Sequence, residues 1–226
     1  SCDSSSTKNN REAQELAGAG ATFPLPFYNV VFEEFAKVNG DEVAYGGWQI
    51  DDHLPGGFAM KQTFPVGEVI QRGAFVAVDV DAMSAAILKI GKVLAGGTTS
   101  AARVSKRNNI CPGDTVMKVG GDSTTTVKSV DRSNPDYDVI EVATAITGLA
   151  EGDFLQEADA TAKTPKYVAN AVLGADLEIK KSGLPTIDAG YDAILLKSVC
   201  TPFPASWLVE NGFCLKANPN ILIINQ

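Results

Sequence analysis

From Gly56 onward, hydrophobic positions come in short segments broken by Gly, Pro, Asn and Asp, a spacing that predicts β-strands joined by turns. Residues 66–78 predict two strands around Arg72-Gly73, and alternation continues through 87–94 to a break at Gly96-Gly97. Pro112-Gly113-Asp114 predicts a turn that launches a strand over 115–119. Strands at 127–130 and 137–142 flank a turn containing Asn134-Pro135. Further strands are expected at 193–199 and 221–224, and 204–212 predicts a short helix closed by Asn211-Gly212. Gly113-Asp114 and Gly152-Asp153 repeat one device, a Gly-Asp turn followed by apolar residues. The stretch 157–165, rich in Ala, Thr and Asp, reads as a linker that divides this region into 56–156 and a C-terminal β-rich section at 166–226. The expected fold is mainly β, built of small barrel or sandwich domains of short antiparallel strands.

The N-terminal part carries a different period. Phe27, Val30, Val31, Phe35 and Val38 recur at steps of three and four, which places an apolar stripe on one face of a helix over about 25–38. Pro24 and Pro26 suit the start of that helix, and Asn39-Gly40 supplies its stop. A strand-helix-strand segment is therefore expected at 16–47, preceded by a disordered tether at 1–15. Stripped of the neighbours that would bury its stripe, the segment is expected to dock weakly on the β body or to be poorly ordered.

Charge narrows the function classes. The 226 residues include 19 basic and 27 acidic side chains, a formal net charge of −8, so nonspecific nucleic-acid binding is not expected. No run of about 18 apolar residues is present to form a membrane-crossing helix. His53 is the only histidine, which leaves few arrangements for acid/base or nucleophilic catalysis, and no catalytic residues, metal ligands or cofactors are assigned. Cys2, Cys111, Cys200 and Cys214 show no zinc spacing; the last three are expected as mostly buried free thiols, with a Cys200–Cys214 bridge requiring an oxidising compartment. Cys2 before a polar Ser/Asn run fits an acylated lipoprotein anchor, and equally a flexible tail with an incidental cysteine.

Residues 18–24, Gly-Ala-Gly-Ala-Thr-Phe-Pro, leading into the predicted helix, resemble the start of the periplasmic phosphate-binding protein of the phosphate ABC importer. The resemblance implies that Thr22 and the backbone of Phe23 are ligands of inorganic phosphate at a helix N-terminus. It covers only residues 16–47. The Ser/Gly-rich loop, the Asp-containing strand end and the Arg with a Ser-Gly-Thr run that complete the family's site have no counterpart where Gly46-Gly47 leads into Trp48-Gln49-Ile50-Asp51-Asp52-His53. The family's two-lobed proteins are also considerably longer.

Over 56–226, the run Phe64-Pro65-Val66-Gly67-Glu68-Val69-Ile70-Gln71-Arg72-Gly73, the two Gly-Asp turns and the ending from Pro202 to Trp207 resemble a tailed-phage head-decoration or head-fibre protein. That resemblance implies a noncatalytic virion component that forms a homo-oligomer and contacts capsid proteins. The alternative is a periplasmic or envelope lipoprotein, anchored through Cys2, that binds phosphate for an importer. Three further clusters have plainer expectations. Asp51-Asp52-His53 is expected as a solvated loop, the Gly96-Gly97 and Gly120-Gly121 runs as hairpin turns, and Arg103, Lys106 and Arg107 as a solvated basic loop.

Overall fold

The computed structural model describes residues 48–54, 57–183 and 185–224; the expected tether and strand-helix-strand segment lie outside these. The described chain is mainly β, as its strand and turn pattern predicts, and forms two large sheets and one small one.

The six-stranded sheet is a half-barrel. It contains β6 (Ile90–Lys92), β7 (Ala101–Ser105), β8 (Thr115–Lys118), β9 (Thr124–Asp131), β10 (Tyr137–Val142) and β11 (Phe154–Glu157), in the order β6-β11-β8-β9-β10-β7. Its end strands meet at an antiparallel bridge between Val93 and Val104. The predicted turns hold: Pro112-Gly113 precedes β8, Gly120-Gly121 joins β8 to β9, Asn134-Pro135 lies between β9 and β10, and Gly152-Asp153 launches β11. Burial alternates along β7 and β10, and the inward residues Val104, Val116, Val127, Ile140 and Leu155 form one core. The curl demands a glycine at the seam. A Cβ on Gly91 would sit 2.2 Å from Val104 Cγ1 and 2.7 Å from Asn108 Cβ.

The eight-stranded wide sheet draws on both ends of the described chain. It contains β1 (Trp48–His53), β2 (Phe58–Met60), β4 (Phe75–Asp79), β5 (Ser84–Ile87), β12 (Ala171–Leu173), β14 (Thr186–Ile187), β15 (Ala189–Leu196) and β16 (Ile221–Ile224). Most pairs are antiparallel, but β2–β5 and β15–β16 are parallel. The small sheet pairs β3 (Val69–Ile70) with β13 (Leu177–Glu178). Pairing thus groups 58–87 with 171–224 and sets 90–157 apart, running across the expected segments 56–156 and 166–226.

Alternation fails at β5 and β12, in the middle of the wide sheet, because both faces are buried there. Val76, Ala171 and Leu173 enter one core with Phe58, Ile87 and Ile187, whereas Phe75 and Val172 enter a second with Leu195, Phe203 and Ile221. A strand covered on both sides reads as an unbroken apolar run, as 85–87 of β5 and all of β12 do. In the second core, Phe75 meets Phe203 edge to face at 5.3 Å, and Trp207 stacks near Phe203 at 6.3 Å.

Two predicted elements take other forms. The expected linker at 157–165 is a tight turn, in which Asp159 Oδ1 accepts the amides of Thr161 and Ala162 and Ala158 bridges Pro165. The expected helix at 204–212 is a single 3-10 turn at Ala205–Trp207. No side chain caps its start, and Trp207 is drawn into contact with Phe75.

Candidate functional site

Thr22 and Phe23, the phosphate ligands implied by resemblance, and Cys2 lie outside the described residues. Asp51-Asp52-His53 is exposed, but it belongs to a bulged edge strand rather than to a loop. His53 Nδ1 lies 2.8 Å from Asp188 Oδ1, and the Tyr191 hydroxyl donates to Asp52 Oδ2 at 2.7 Å. The imidazole passes so close to Gly174 that a Cβ there would meet its Cε1 at 2.6 Å. Among the described residues, no group of three or more His, Cys, Asp or Glu side chains is placed to hold a metal ion. Cys111, Cys200 and Cys214 are free thiols. Burial pushes the Cys111 thiol up to about 11, against a smaller opposing pull from Lys89, and the Cys200 thiol up to about 12.

The basic cluster is the feature whose placement departs most from expectation. Instead of forming a solvated loop, its members are half-buried and engaged, Arg103 and Lys106 within the half-barrel and Arg107 across its junction with the wide sheet. Arg103 lies over the Tyr137 ring at 4.7 Å. Lys106 Nζ donates to Asp138 Oδ1 at 2.6 Å, and Asp138, only 1% exposed, also accepts from Arg132 Nη1 at 2.7 Å and Asn108 Nδ2 at 2.8 Å. Three donors on one buried carboxylate satisfy the requirement for burying a charge. Arg132 continues outward to Glu68, 3.1 Å away, and so ties the half-barrel to the chain before β3. Arg107, at φ 62°, donates to the backbone oxygens of Arg72 and Val199, reaching from the half-barrel side to the wide-sheet side.

Two more ties lie along the same junction. Lys89, 3% exposed, places Nζ 2.6 and 2.8 Å from the two carboxylate oxygens of Asp114 and 4.3 Å from the Phe64 ring centroid. Glu157 accepts from Gln62 at 2.8 Å and from Lys166 at 2.7 Å. Burial would lower the Lys166 pKa, but the hydrogen bond and charge of Glu157 outweigh it and hold the ammonium above its usual range. Sequence reasoning missed Asp114, Asp138 and Glu157 as members of ion pairs. The only signal was position, since Asp114 and Asp138 stand beside predicted turns.

Beside this junction opens a cleft of about 680 Å³. Lys92, Lys106, Arg107 and Lys197 line it, together with Phe154, Pro202 and Phe203, and no carboxylate does. Lys92 and Lys197 are exposed, and Lys197 Nζ stands 5.9 Å from the Phe203 ring centroid. In a chain of net charge −8, this concentrates positive potential over an apolar floor, an arrangement suited to groups that are both anionic and apolar.

Comparison with known proteins places no relative beside this chain: no family model matches it, and neither does any curated protein or solved structure.

Proposed function

We propose that this chain is a noncatalytic structural protein that associates through its β surfaces, in the manner of a tailed-phage head-decoration or head-fibre component. The observation that carries the reading is the unfinished state of the wide sheet. Among the described residues β1 pairs only with β15 and β14 only with β2, so the sheet ends in two edges. At the β15–β16 end, the outward register pairs Ile194–Leu222 and Leu196–Ile224 are left partly exposed. Open edges and apolar strips are surfaces that partner copies cover. In this reading the partners are further copies of the chain and a capsid surface, the location is the virion, and no catalytic step is assigned.

Light scattering across a wide concentration range tests it. The expected result is a discrete species above the 23.8 kDa of one chain. A single 23.8 kDa species at every concentration overturns the reading.

A further inference from the structure

We infer that the cationic cleft receives the β4–β5 hairpin tip of a second copy of this chain, giving a head-to-tail contact. The inference rests on the self-association reading and specifies its surface. The tip joins β4 to β5 and presents Asp79, Val80, Asp81 and Met83 to solvent, with Val80 58% and Met83 46% exposed. Exposed carboxylates and exposed apolar side chains thus alternate on one short turn. The cleft supplies the complement: Lys92 and Lys197 for the carboxylates, the partly exposed Phe154 and Pro202 for Val80 and Met83.

The turn is held ready. Asp79 Oδ1 accepts the Ala82 amide at 3.0 Å, while Oδ2 lies 3.2 Å from Lys61 Nζ. Those two contacts, the amide first, keep the Asp79 carboxyl below its ordinary range, so it is charged at neutral pH. Asp81 has no ion-pair partner among the described residues, which leaves its carboxylate available to a lysine.

Tip and cleft lie at opposite ends of one strand. The Phe75 amide, at the start of β4, donates to Thr201 Oγ1, next to the cleft residues Cys200 and Pro202. From Phe75 to Asp79 the strand rises about 13 Å away from that point. One molecule therefore cannot fill its own cleft with its own tip, and the contact is between unlike surfaces. Such a contact propagates, closing into a ring or running on as a filament.

Charge reversal with cross-rescue tests the contact by analytical ultracentrifugation, with circular dichroism as the check on folding. A cleft variant carries Lys92→Glu and Lys197→Glu, both exposed and outside the buried ion pairs; a tip variant carries Asp81→Lys. Each alone is expected to remain at 23.8 kDa where the wild type associates. Mixed in equal amounts they should associate again in alternating order, because the cleft variant's intact tip meets the tip variant's intact cleft and the reversed tip meets the reversed cleft. Val80→Ser, which changes no charge, should weaken wild-type association about tenfold. Variants that associate as the wild type does, a mixture that stays monomeric, or an unaffected Val80→Ser overturn this contact while leaving self-association standing. A wild type that never associates overturns both.

Discussion

The half-barrel and the wide sheet solve the same problem, covering the edges and faces of short strands, in opposite ways. The half-barrel is continuous in sequence, encloses one core and brings its end strands together at Val93 and Val104. The wide sheet is assembled from residues on both sides of it, has a core on each face, and among the described residues ends in strands paired on one side only. Closure stabilises but leaves little to bind, whereas an open sheet keeps surface for a partner at the cost of needing long-range contacts. The Asp138 cluster lies inside the half-barrel, and Arg132–Glu68, Glu157–Gln62 and the Arg107 contacts with Arg72 and Val199 carry its bracing across to the rest of the chain.

The largest loss is expected from Asp138→Ala, which removes the carboxylate beside Arg132, the residue that reaches Glu68. It strands Lys106, Arg132 and Asn108 around an emptied buried site, and an expected loss of about 3–5 kcal/mol should appear as a lower urea midpoint. Gly91→Ala strikes the half-barrel seam instead. The added methyl collides with Val104 and Asn108, for an expected cost of about 1–3 kcal/mol by the same measurement.

The smallest effect sharpens the comparison from the other side, because Cys111 and Cys200 sit in the two cores of the wide sheet. Folding raises both thiol pKa values above the ordinary 9.0, to about 11 and about 12. Their contribution to stability is therefore complete below pH 9 and is lost as the pH rises further, since the unfolded chain then ionises thiols that the folded chain keeps protonated. Melting temperature should decline between pH 9 and 11, and the decline should be shallower in the Cys111→Ala/Cys200→Ala variant.

The two regions also differ in how much their sequence discloses. In the half-barrel, alternation along β7 and β10 and the turns at Pro112-Gly113, Asn134-Pro135 and Gly152-Asp153 are local signals, and each is written in consecutive residues. Nothing local tells Trp48–His53 to pair with a strand about 140 residues away, or Phe58–Met60 to run parallel to Ser84–Ile87. Burial on both faces also erases the period of two that would have marked β5 and β12. The junction was legible only in part: Lys106 and Arg107 stood out as a basic cluster, but the carboxylate that organises Lys106, Asp138, looks in sequence like any other acidic residue near a turn. Lys197 reaches the cleft from a segment about 90 residues away, which no spacing rule connects to it.

The contacts that cross the junction, Arg132–Glu68, Glu157–Gln62 and Arg107 on Arg72 and Val199, make the half-barrel and the wide sheet one cooperative body. Native-state hydrogen exchange in low urea reads that cooperativity through the amides of β4 in the wide sheet and β10 in the half-barrel. Both sets are expected to merge onto a single unfolding transition in the wild type and to separate in Asp138→Ala. Half-barrel amides that stay protected in the wild type after those of β4 have exchanged would contradict it.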